Sequence, residues 1–402
     1  MNQNSPIYLD YNATTPVDPR VVQVMQPYFT EKFGNAASLA HAFGIEANLA
    51  VEEARHSILK AIGAGPVEES LVFTGGATES NNLVIKGLAL LDPVKKIHVI
   101  SQKTEHRCVL ESLDVIHKWG HEVTLLDVDE DGKVRPEDLQ RALRPDTALV
   151  SIMHANNEIG TIQDISTLSK ITHENSRALF HTDAAQTFGK IPLDVQKLGA
   201  DLMTLSAHKL YGPKGMGALY VAPRRPRIRL FPLLHGGGHE FGLRSGTLNV
   251  PAIVGFAKAA ELCLDEMPTE TKRLTVMRNQ LVIDFKSHID GVTLNGHPRD
   301  RLPNNINLAF QYLNADDLMT GLPGLAVASG SACSSGTTEP SHVILALGKS
   351  KEYAKSCLRL SLGRFSKEDE MPLVTQQINE KVKQLRAKSL SYQMAKSGPE
   401  TK

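Results

Sequence analysis

The chain lacks several features that would point to a macromolecular partner or an unusual cellular setting. Its 402 residues carry 44 Lys and Arg against 44 Asp and Glu, so the charge balance does not indicate a nucleic acid or a membrane surface as partner. Only four cysteines are present, and none form a Cys-x-x-Cys pair. This disfavours a zinc site or a disulfide framework and fits a reducing, cytoplasmic setting. No apolar run reaches the roughly 18 residues of a membrane span, and the N-terminus has no leader-like stretch.

Short apolar segments alternate with helical patterns through the first 250 residues. This alternation predicts an α/β fold with a mixed, mostly parallel sheet between helices. In such folds the ligand site lies beyond the carboxyl ends of the strands. The predicted strands are 97–101, 122–128, 148–153, 178–183, 203–206 and 217–221, and the predicted helices include 47–62, 109–119 and 165–172.

The pattern changes after about residue 250, where a long helical stretch over 251–289 leads into a smaller α+β unit. Its predicted strands are 292–294, 306–310, 326–329 and 358–362, with helices near 341–348 and 367–388. We therefore predict a large domain of residues 16–260 and a small domain made of residues 1–15 and 261–402. An N-terminal strand over 7–10 fits either domain.

A lysine and an acid follow two of the predicted strands. Lys209 stands in Ser-Ala-His-Lys-Leu-Tyr-Gly after one strand, and Asp183 and Gln186 stand in His-Thr-Asp-Ala-Ala-Gln at the end of another. An imine-forming amine and an anion that faces a ring nitrogen are what pyridoxal phosphate requires. The pair therefore predicts that cofactor.

Three further segments at strand ends carry polar side chains, and each has a purely structural alternative. The glycine turn before Thr78 is typical of a phosphate cradle at a helix N-terminus, although Thr78 could simply cap that helix. His106 suits ring stacking and proton transfer, or it is a surface histidine at a helix start. Asn156 or Asn157 could donate to a ligand oxygen or form a turn.

Two segments rich in histidine or arginine do not support a metal site or nucleic-acid binding. His235 and His239 are separated by three glycines, which disfavour the helix that a His pair four residues apart needs to bind metal. The segment Arg224-Arg-Pro-Arg-Ile-Arg is short, broken by proline and without aromatic residues. We expect no metal and no direct contact with nucleic acid.

Two residues of the second unit are candidates for chemistry. Cys333 lies in Ser-Gly-Ser-Ala-Cys-Ser-Ser-Gly, among small polar residues where a reactive thiol on a loop is more typical than a packed one; a tolerated surface cysteine is the alternative. Arg359 alternates with leucines on a strand. It either clamps a carboxylate or is solvated on the polar face.

Taken together, these motifs resemble the cysteine desulfurases, in the class V aminotransferase branch of fold-type I pyridoxal-phosphate enzymes. The resemblance runs from Tyr8-Leu-Asp-Tyr-Asn-Ala-Thr-Thr to Ser361-Leu-Gly-Arg-Phe. Its most specific pieces are Ser206-Ala-His-Lys, Arg244-Ser-Gly-Thr and Ser329-Gly-Ser-Ala-Cys. The last of these is similar to the NifS/IscS-like subgroup.

The resemblance implies roles for individual residues. Lys209 would form the Schiff base, His106 would stack on the ring and exchange protons, and Cys333 would take the substrate sulfur as a persulfide. Asn157, Arg359 and Asn12 would bind the cysteine carboxylate. The cofactor-binding set implied by the family is Lys209, Asp183, Gln186, Thr78, Ala77, Ser206, His208, His106, Asn157 and Thr247, the last reaching in from a second subunit.

The resemblance also implies a homodimer that converts L-cysteine to L-alanine and passes sulfane sulfur to an acceptor protein. An iron–sulfur scaffold is one such acceptor, and tRNA or cofactor thiolation are other destinations. The C-terminal Ser391-Tyr-Gln-Met departs from the Leu-Trp-Glu-Met of some members, so the sequence does not predict how a scaffold docks. Alternatives are a selenocysteine lyase, a cysteine-sulfinate desulfinase, a generic aminotransferase, or a sulfur-transfer hub that depends on a partner.

Overall fold

The computed structural model describes residues 6–92, 94–329 and 339–397. Within these ranges the strands form a seven-stranded sheet, a four-stranded sheet and a two-stranded pair. In chain order they are β1 (Ile7–Tyr8), β2 (Leu71–Thr74), β3 (His98–Gln102), β4 (Glu122–Leu126), β5 (Thr147–Ser151), β6 (Leu179–Asp183), β7 (Leu202–Ser206), β8 (Gly217–Val221), β9 (Val292–Leu294), β10 (Asn305–Phe310), β11 (Leu325–Ala326), β12 (Ala328–Ser329) and β13 (Cys357–Ser361).

Helices pack against both faces of the large sheet and both faces of the small one. In chain order they are α1 (Pro19–Met25), α2 (Pro27–Thr30), α3 (Ala42–Ala61), α4 (Ala77–Ala89), α5 (Arg107–Lys118), α6 (Pro136–Ala142), α7 (Ile165–Asn175), α8 (Val195–Leu198), α9 (Val250–His288), α10 (Ala315–Thr320), α11 (His342–Ala346), α12 (Lys351–Lys355), α13 (Met371–Lys388) and α14 (Leu390–Ser397). Over the described ranges, no helix combines the length and the apolar character that crossing a bilayer would require.

The large sheet has the strand order β2-β8-β7-β6-β5-β3-β4. Strands β3 to β7 are parallel to one another, and β8 is antiparallel to both β2 and β7. Successive side chains of β2 pack in different hydrophobic cores. Phe73 packs with α3 and α9, whereas Val72 packs with α4 and α5. The predicted α/β class, with a mixed and mostly parallel sheet between helices, is confirmed.

The small sheet, β12-β13-β10-β9, is antiparallel throughout. Helix α9 joins its core to that of the large sheet, because Phe256 packs in the larger cluster and Phe285 in the smaller one. The predicted boundary at residue 260 therefore falls inside one continuous helix. The division into domains stays a prediction.

The N-terminal segment lies against the small sheet. Ile7 of β1 lies opposite Leu325 of β11 in a parallel pair, and Asp10 forms a bridge with Ser361. The next residues then cross to the large sheet, where Thr15 N donates to the His208 carbonyl at 3.0 Å. The segment thus brings residues 10–15 to the carboxyl edge of the large sheet.

Candidate active site

A cavity of about 870 Å³ lies at the carboxyl edge of the parallel strands. Side chains that follow β2, β3, β5, β6 and β7 all reach it, because parallel strands end at the same edge of a sheet. Ten of the thirteen residues predicted from the sequence line this cavity: Asn12, Ala77, Thr78, His106, Asn157, Asp183, Gln186, Ser206, His208 and Lys209.

The other three predicted residues have different outcomes. Thr247 lines a smaller adjoining cavity of about 130 Å³ that shares Gly75 and Met216 with the main one. Arg359 is buried beside the main cavity, where its contacts are described below. Cys333 lies outside the described residues.

The glycine turn after β2 forms one end of the cavity. Gly76 has φ 143°, a conformation that glycine adopts readily, and it is the N-cap of α4. The alternative that Thr78 caps this helix is therefore wrong, since Thr78 is the second helical residue. Gly217 permits the turn to approach β8: a Cβ there would lie 2.7 Å from the Gly76 Cα. The first N–H groups of α4 lack partners within the helix, as an anion site requires.

Ser206 and His208 lie next to this turn. The Ser206 hydroxyl is buried and has no hydrogen-bond partner among the described residues. His208 Nδ1 lies 3.1 Å from the Thr14 hydroxyl. Burial, together with the charge of Lys209, lowers the pKa of His208 to about 4. A buried hydroxyl without a partner is costly, and a bound phosphate would supply the missing acceptor.

Lys209 follows β7 in a short 3₁₀ turn and reaches the cavity floor. Its Nζ donates to the Asn12 carbonyl at 2.7 Å and to the Ala13 carbonyl at 2.6 Å. These two carbonyl oxygens hold the amine in the cavity.

Asp183 is the last residue of β6 and is nearly buried. Its two carboxylate oxygens accept from Asn81 Nδ2 at 2.7 Å and from Ala185 N at 2.9 Å. Three residues later, Gln186 Nε2 donates to the Asn12 carbonyl at 2.9 Å. The anion and the amide thus lie side by side on the cavity wall, as the sequence predicted.

His106 is the N-cap of α5 and accepts from Cys108 N at 3.2 Å. The alternative of a surface histidine is wrong, because the side chain lines the cavity. Burial lowers the pKa of His106; Asp183 opposes this shift and Lys209 adds to it. The imidazole is therefore neutral over a wider pH range than a free histidine and can accept a proton.

Cys108 also lines the cavity, although the sequence indicated only a filler residue. Its Sγ lies 3.1 Å from His106 Nδ1 and accepts from Asn81 Nδ2 at 3.2 Å. Burial raises its pKa to about 12, so the thiol stays protonated. The signal for this position is its spacing of two residues from His106 at a helix N-terminus.

Asn157 and Arg359 meet at the side of the cavity nearest the small sheet. The Asn157 carbonyl accepts from Arg359 Nη1 at 3.1 Å and from Asn12 Nδ2 at 3.2 Å. Arg359 Nη2 lies 2.7 Å from Asp10 Oδ1, and the arginine side chain is 1% exposed. The interpretation of Arg359 as a solvated side chain is therefore wrong.

Sequence reasoning missed three ionisable residues beside the cavity, of which Glu105 and Glu158 are buried and Lys190 is partly exposed. Lys190 donates to Gln186 Oε1 at 2.9 Å. Glu105 and Glu158 follow the same strands as His106 and Asn157, and burial raises their pKa values to about 8 and about 7. Their position next to the motifs could have pointed to these residues, but the spacing of residues in the sequence does not show whether a side chain is buried.

The family model described as "Aminotransferase class-V" matches residues 7–374. The chain belongs to this family. The recognition made from the motifs is confirmed. Enzymes of this family use pyridoxal phosphate, and the cavity fits that group, since it combines a lysine amine, a fixed carboxylate and a glycine turn beside an unpartnered serine hydroxyl.

The relatives match nearly the whole length of this chain. "Cysteine desulfurase IscS" of Anaeromyxobacter sp. (strain K) is 50% identical over 393 residues, covering 98% of this chain and 96% of that protein. "Cysteine desulfurase, mitochondrial" of Saccharomyces cerevisiae is 47% identical over 98% of this chain and 78% of its own. A solved structure named "NIFS-LIKE PROTEIN" has a TM-score of 0.86 at 37% identity, covering 93% of this chain and 98% of its own.

Proposed function

We propose that this chain is a pyridoxal-phosphate-dependent cysteine desulfurase, which converts L-cysteine to L-alanine and takes the sulfur onto Cys333. The observation that carries the proposal is the convergence of Lys209, Asp183 and His106 on one cavity. The names of the relatives support the same activity.

Pyridoxal phosphate bound here would supply an electron-accepting ring that acidifies the α-carbon of the substrate amino acid. Lys209 would bind the cofactor covalently, and its amine, once freed, would move the α-proton of the substrate. Asp183 would pair with the ring nitrogen and keep it protonated, and Gln186 would contact the ring hydroxyl. His106 would stack on the ring and exchange protons, since its lowered pKa leaves the imidazole neutral and able to accept one.

The phosphate group is held at the glycine turn. Ala77 and Thr78 provide donors at the N-terminus of α4, and Ser206 and His208 provide side chains from the end of β7. Thr247 contributes from a second copy of the chain. The unpartnered Ser206 hydroxyl supports this assignment.

Asn12, Asn157 and Arg359 bind the carboxylate of the substrate. The buried guanidinium of Arg359 beside the cavity supports this role, because a charge-assisted, bidentate contact favours arginine. Asp10 already holds one edge of that guanidinium, which fixes its direction.

Cys333 acts as the sulfur acceptor. Its thiolate attacks the substrate sulfur, the carbon–sulfur bond breaks with its electrons going to carbon, and a proton completes alanine. The described residues on either side support its access to the cavity: Ala328 lies opposite Arg359 in the small sheet, and Ser341 donates to Glu158 at 2.5 Å.

The enzyme is a homodimer that delivers sulfur to acceptors such as an iron–sulfur scaffold. Exposed aromatic side chains support a second copy as partner: Phe29, Phe33 and Phe43 are 61%, 64% and 53% exposed. An apolar surface of this kind commonly marks a protein interface.

A cytoplasmic location and a division into a large domain (16–260) and a small domain (1–15 and 261–402) complete the proposal. The bacterial relative and the low cysteine content support the location. The pairing of β1 with β11 supports placing the N-terminal residues in the small domain.

The decisive experiment measures alanine released from L-cysteine by the purified, cofactor-loaded protein in the presence of a reductant. We expect multiple turnovers from the wild type and none from Cys333→Ala, which should still bind cofactor and substrate. Absence of alanine from the loaded wild type contradicts the proposal. Turnover of selenocysteine that is unaffected by Cys333→Ala would instead favour a selenocysteine lyase.

A further inference from the structure

Lys190 lies directly behind the wall of the cofactor cavity. It follows β6 by seven residues and Gln186 by four. Its Nζ donates to Gln186 Oε1 at 2.9 Å and lies 3.5 Å from Asn12 Oδ1. Both amides line the cavity. The amine therefore acts on residues that would touch the cofactor.

The backbone around Lys190 is fixed. Gly189 has φ +78°, and a Cβ there would lie 2.9 Å from the Leu210 Cβ. Lys190 N donates to the Thr187 carbonyl at 3.0 Å, and the Lys190 carbonyl accepts from the Thr271 hydroxyl at 2.9 Å. This fixed origin limits where the amine can reach.

The chemistry of an ammonium group determines how Gln186 is oriented. An ammonium donates hydrogen bonds and accepts none, so Gln186 turns its carbonyl oxygen toward Lys190. Its Nε2 then faces the other way and donates one N–H to the Asn12 carbonyl at 2.9 Å. An amide nitrogen carries two N–H groups, so the second is available to a ligand in the cavity.

The Asn12 side-chain amide is oriented by contacts that do not involve Lys190. Its Oδ1 accepts from Asn304 Nδ2 at 3.0 Å, and its Nδ2 donates to the Asn157 carbonyl at 3.2 Å. The orientation of Asn12 therefore does not depend on Lys190, and Gln186 is the amide that Lys190 fixes.

We propose that Lys190 is a positioning residue that holds the Gln186 amide with its N–H group toward the ring oxygen of the cofactor. This inference rests on the proposed role of Gln186. An ionised ring oxygen accepts a hydrogen bond from that donor. A reversed amide would place a carbonyl oxygen against it and leave both acceptors unsatisfied, which weakens binding.

The charge on Lys190 makes this orientation depend on pH. Burial lowers the pKa of its amine to about 7, with Lys209 and Arg359 lowering it and Cys263 and Glu270 raising it. Part of the side chain is exposed, and its Nζ contacts Gln186 Oε1 and Asn12 Oδ1. Below this pKa the group is cationic and only donates. Above it the neutral amine can also accept, and the constraint on Gln186 relaxes.

The test titrates the apoprotein with pyridoxal phosphate and follows cofactor absorbance, with no cysteine present. At pH 6.5 we expect Lys190→Met to weaken cofactor binding about tenfold, the loss of about one hydrogen bond to a charged group, and Lys190→Arg to stay within about threefold. Raising the pH through 7 should weaken binding by the wild type more than by Lys190→Arg. Lys170→Met, on the exposed face of α7, is the matched control and should bind normally.

A double mutant separates positioning from general support. In a Gln186→Ala background, Lys190→Met should weaken binding no further. Equal weakening in both backgrounds, or wild-type affinity in Lys190→Met, would overturn the inference. If Lys190→Met does not fold, Lys190→Leu, which also lacks a donor, replaces it with the same expectation. A protein that titrates as expected but releases no alanine from cysteine would refute the proposed activity and leave this inference standing.

Discussion

Asp183 shows how the fold fixes one charged side chain. Its strand ends at the cavity, and two donors, Asn81 Nδ2 and Ala185 N, hold its carboxylate at 2.7 and 2.9 Å. Both contacts come from groups that are themselves in or beside regular structure. The carboxylate therefore points one way whether or not a ligand is present.

Replacing Asp183 by Asn should lower turnover of cysteine at least about 10²-fold while the protein still binds pyridoxal phosphate. The amide keeps the size of the side chain but removes the anion that keeps the ring nitrogen protonated. Steady-state kinetics, with bound cofactor counted by absorbance, provide the measurement. Asp114→Asn, at an exposed position on α5, is the control. Turnover within a few fold of the wild type would remove Asp183 from this role.

The residues that sequence reasoning missed share one property. Lys190 and Glu105 touch the cavity lining through contacts made by folding, not through a motif of their own. Arg359 shows the same limit, because its alternation with leucines left both a solvated and a buried side chain open. The second sheet and Asp10 together settle its burial.

At the scale of elements, apolar strands were predictable and helix starts were less so. Strands 217–221 and 292–294 have the bounds that the pattern predicted. Helix α3 begins at Ala42, five residues before the predicted start, because His41 serves as its N-cap and Gly44 occupies its first turn. Neither residue is a typical helix-start signal.

One predicted strand is divided in the structure. Residues 326–329 contribute to two strands, since Ala326 pairs with β1 whereas Ala328 and Ser329 pair with β13. The division depends on the pairing of the N-terminal strand β1 with β11, which is a contact between segments far apart in the sequence. Local pattern alone could not predict it.

Gly217, at the start of β8, packs closely against the glycine turn before α4, where we propose that the phosphate binds. Substituting Gly217 by Ala would place a Cβ 2.7 Å from the Gly76 Cα and 2.7 Å from the Leu205 carbonyl oxygen. Backbone atoms must then shift, which costs about 1–3 kcal/mol. We expect a lower melting temperature and about tenfold weaker binding of pyridoxal phosphate.

Gly65→Ala is the matched control for this substitution. Its added Cβ has no neighbour within 4 Å, and Gly65 has no positive φ. It should leave both melting temperature and cofactor affinity unchanged. If Gly217→Ala also leaves cofactor affinity unchanged, the approach of the turn to β8 does not position the phosphate site.

At the scale of the whole molecule, the site gathers residues from distant parts of the chain. Asn12 comes from the first strand segment, Lys209 from the large sheet and Arg359 from the small sheet. The motifs identified each of these residues. Asn12 comes to lie between Lys209 and Arg359 only because the N-terminal strand β1 pairs with β11. Helix α9 links the cores of both sheets.

Thr247 lies in the smaller adjoining cavity, not in the main one. This smaller cavity shares Gly75, Gly215 and Met216 with the main cavity of the same chain, whereas we propose that Thr247 binds the phosphate of a second copy. The segment that carries it is held by Arg244, which donates to Glu79 at 3.0 Å, and by Glu240, paired with Arg55 at 2.9 Å. The loop is thus fixed within its own subunit.

Active-site complementation tests this arrangement directly. Thr247→Glu places a negative charge against the phosphate, and Lys209→Ala removes the amine, so each homodimer should be inactive. If Thr247 acts across the interface, a heterodimer of the two variants has one site with both changes and one with neither. Random mixing after co-expression should then restore about a quarter of the wild-type activity, because half the dimers are mixed and each has one intact site.

If Thr247 instead serves its own subunit, every site of the heterodimer carries one lesion, and mixing restores nothing. Co-purification with two different affinity tags shows that heterodimers have formed, so that an inactive mixture cannot be attributed to failed assembly. Recovered alanine release from the doubly tagged fraction would therefore establish both the dimer and the direction of the Thr247 contact. Its absence there would place Thr247 outside the phosphate site of the partner.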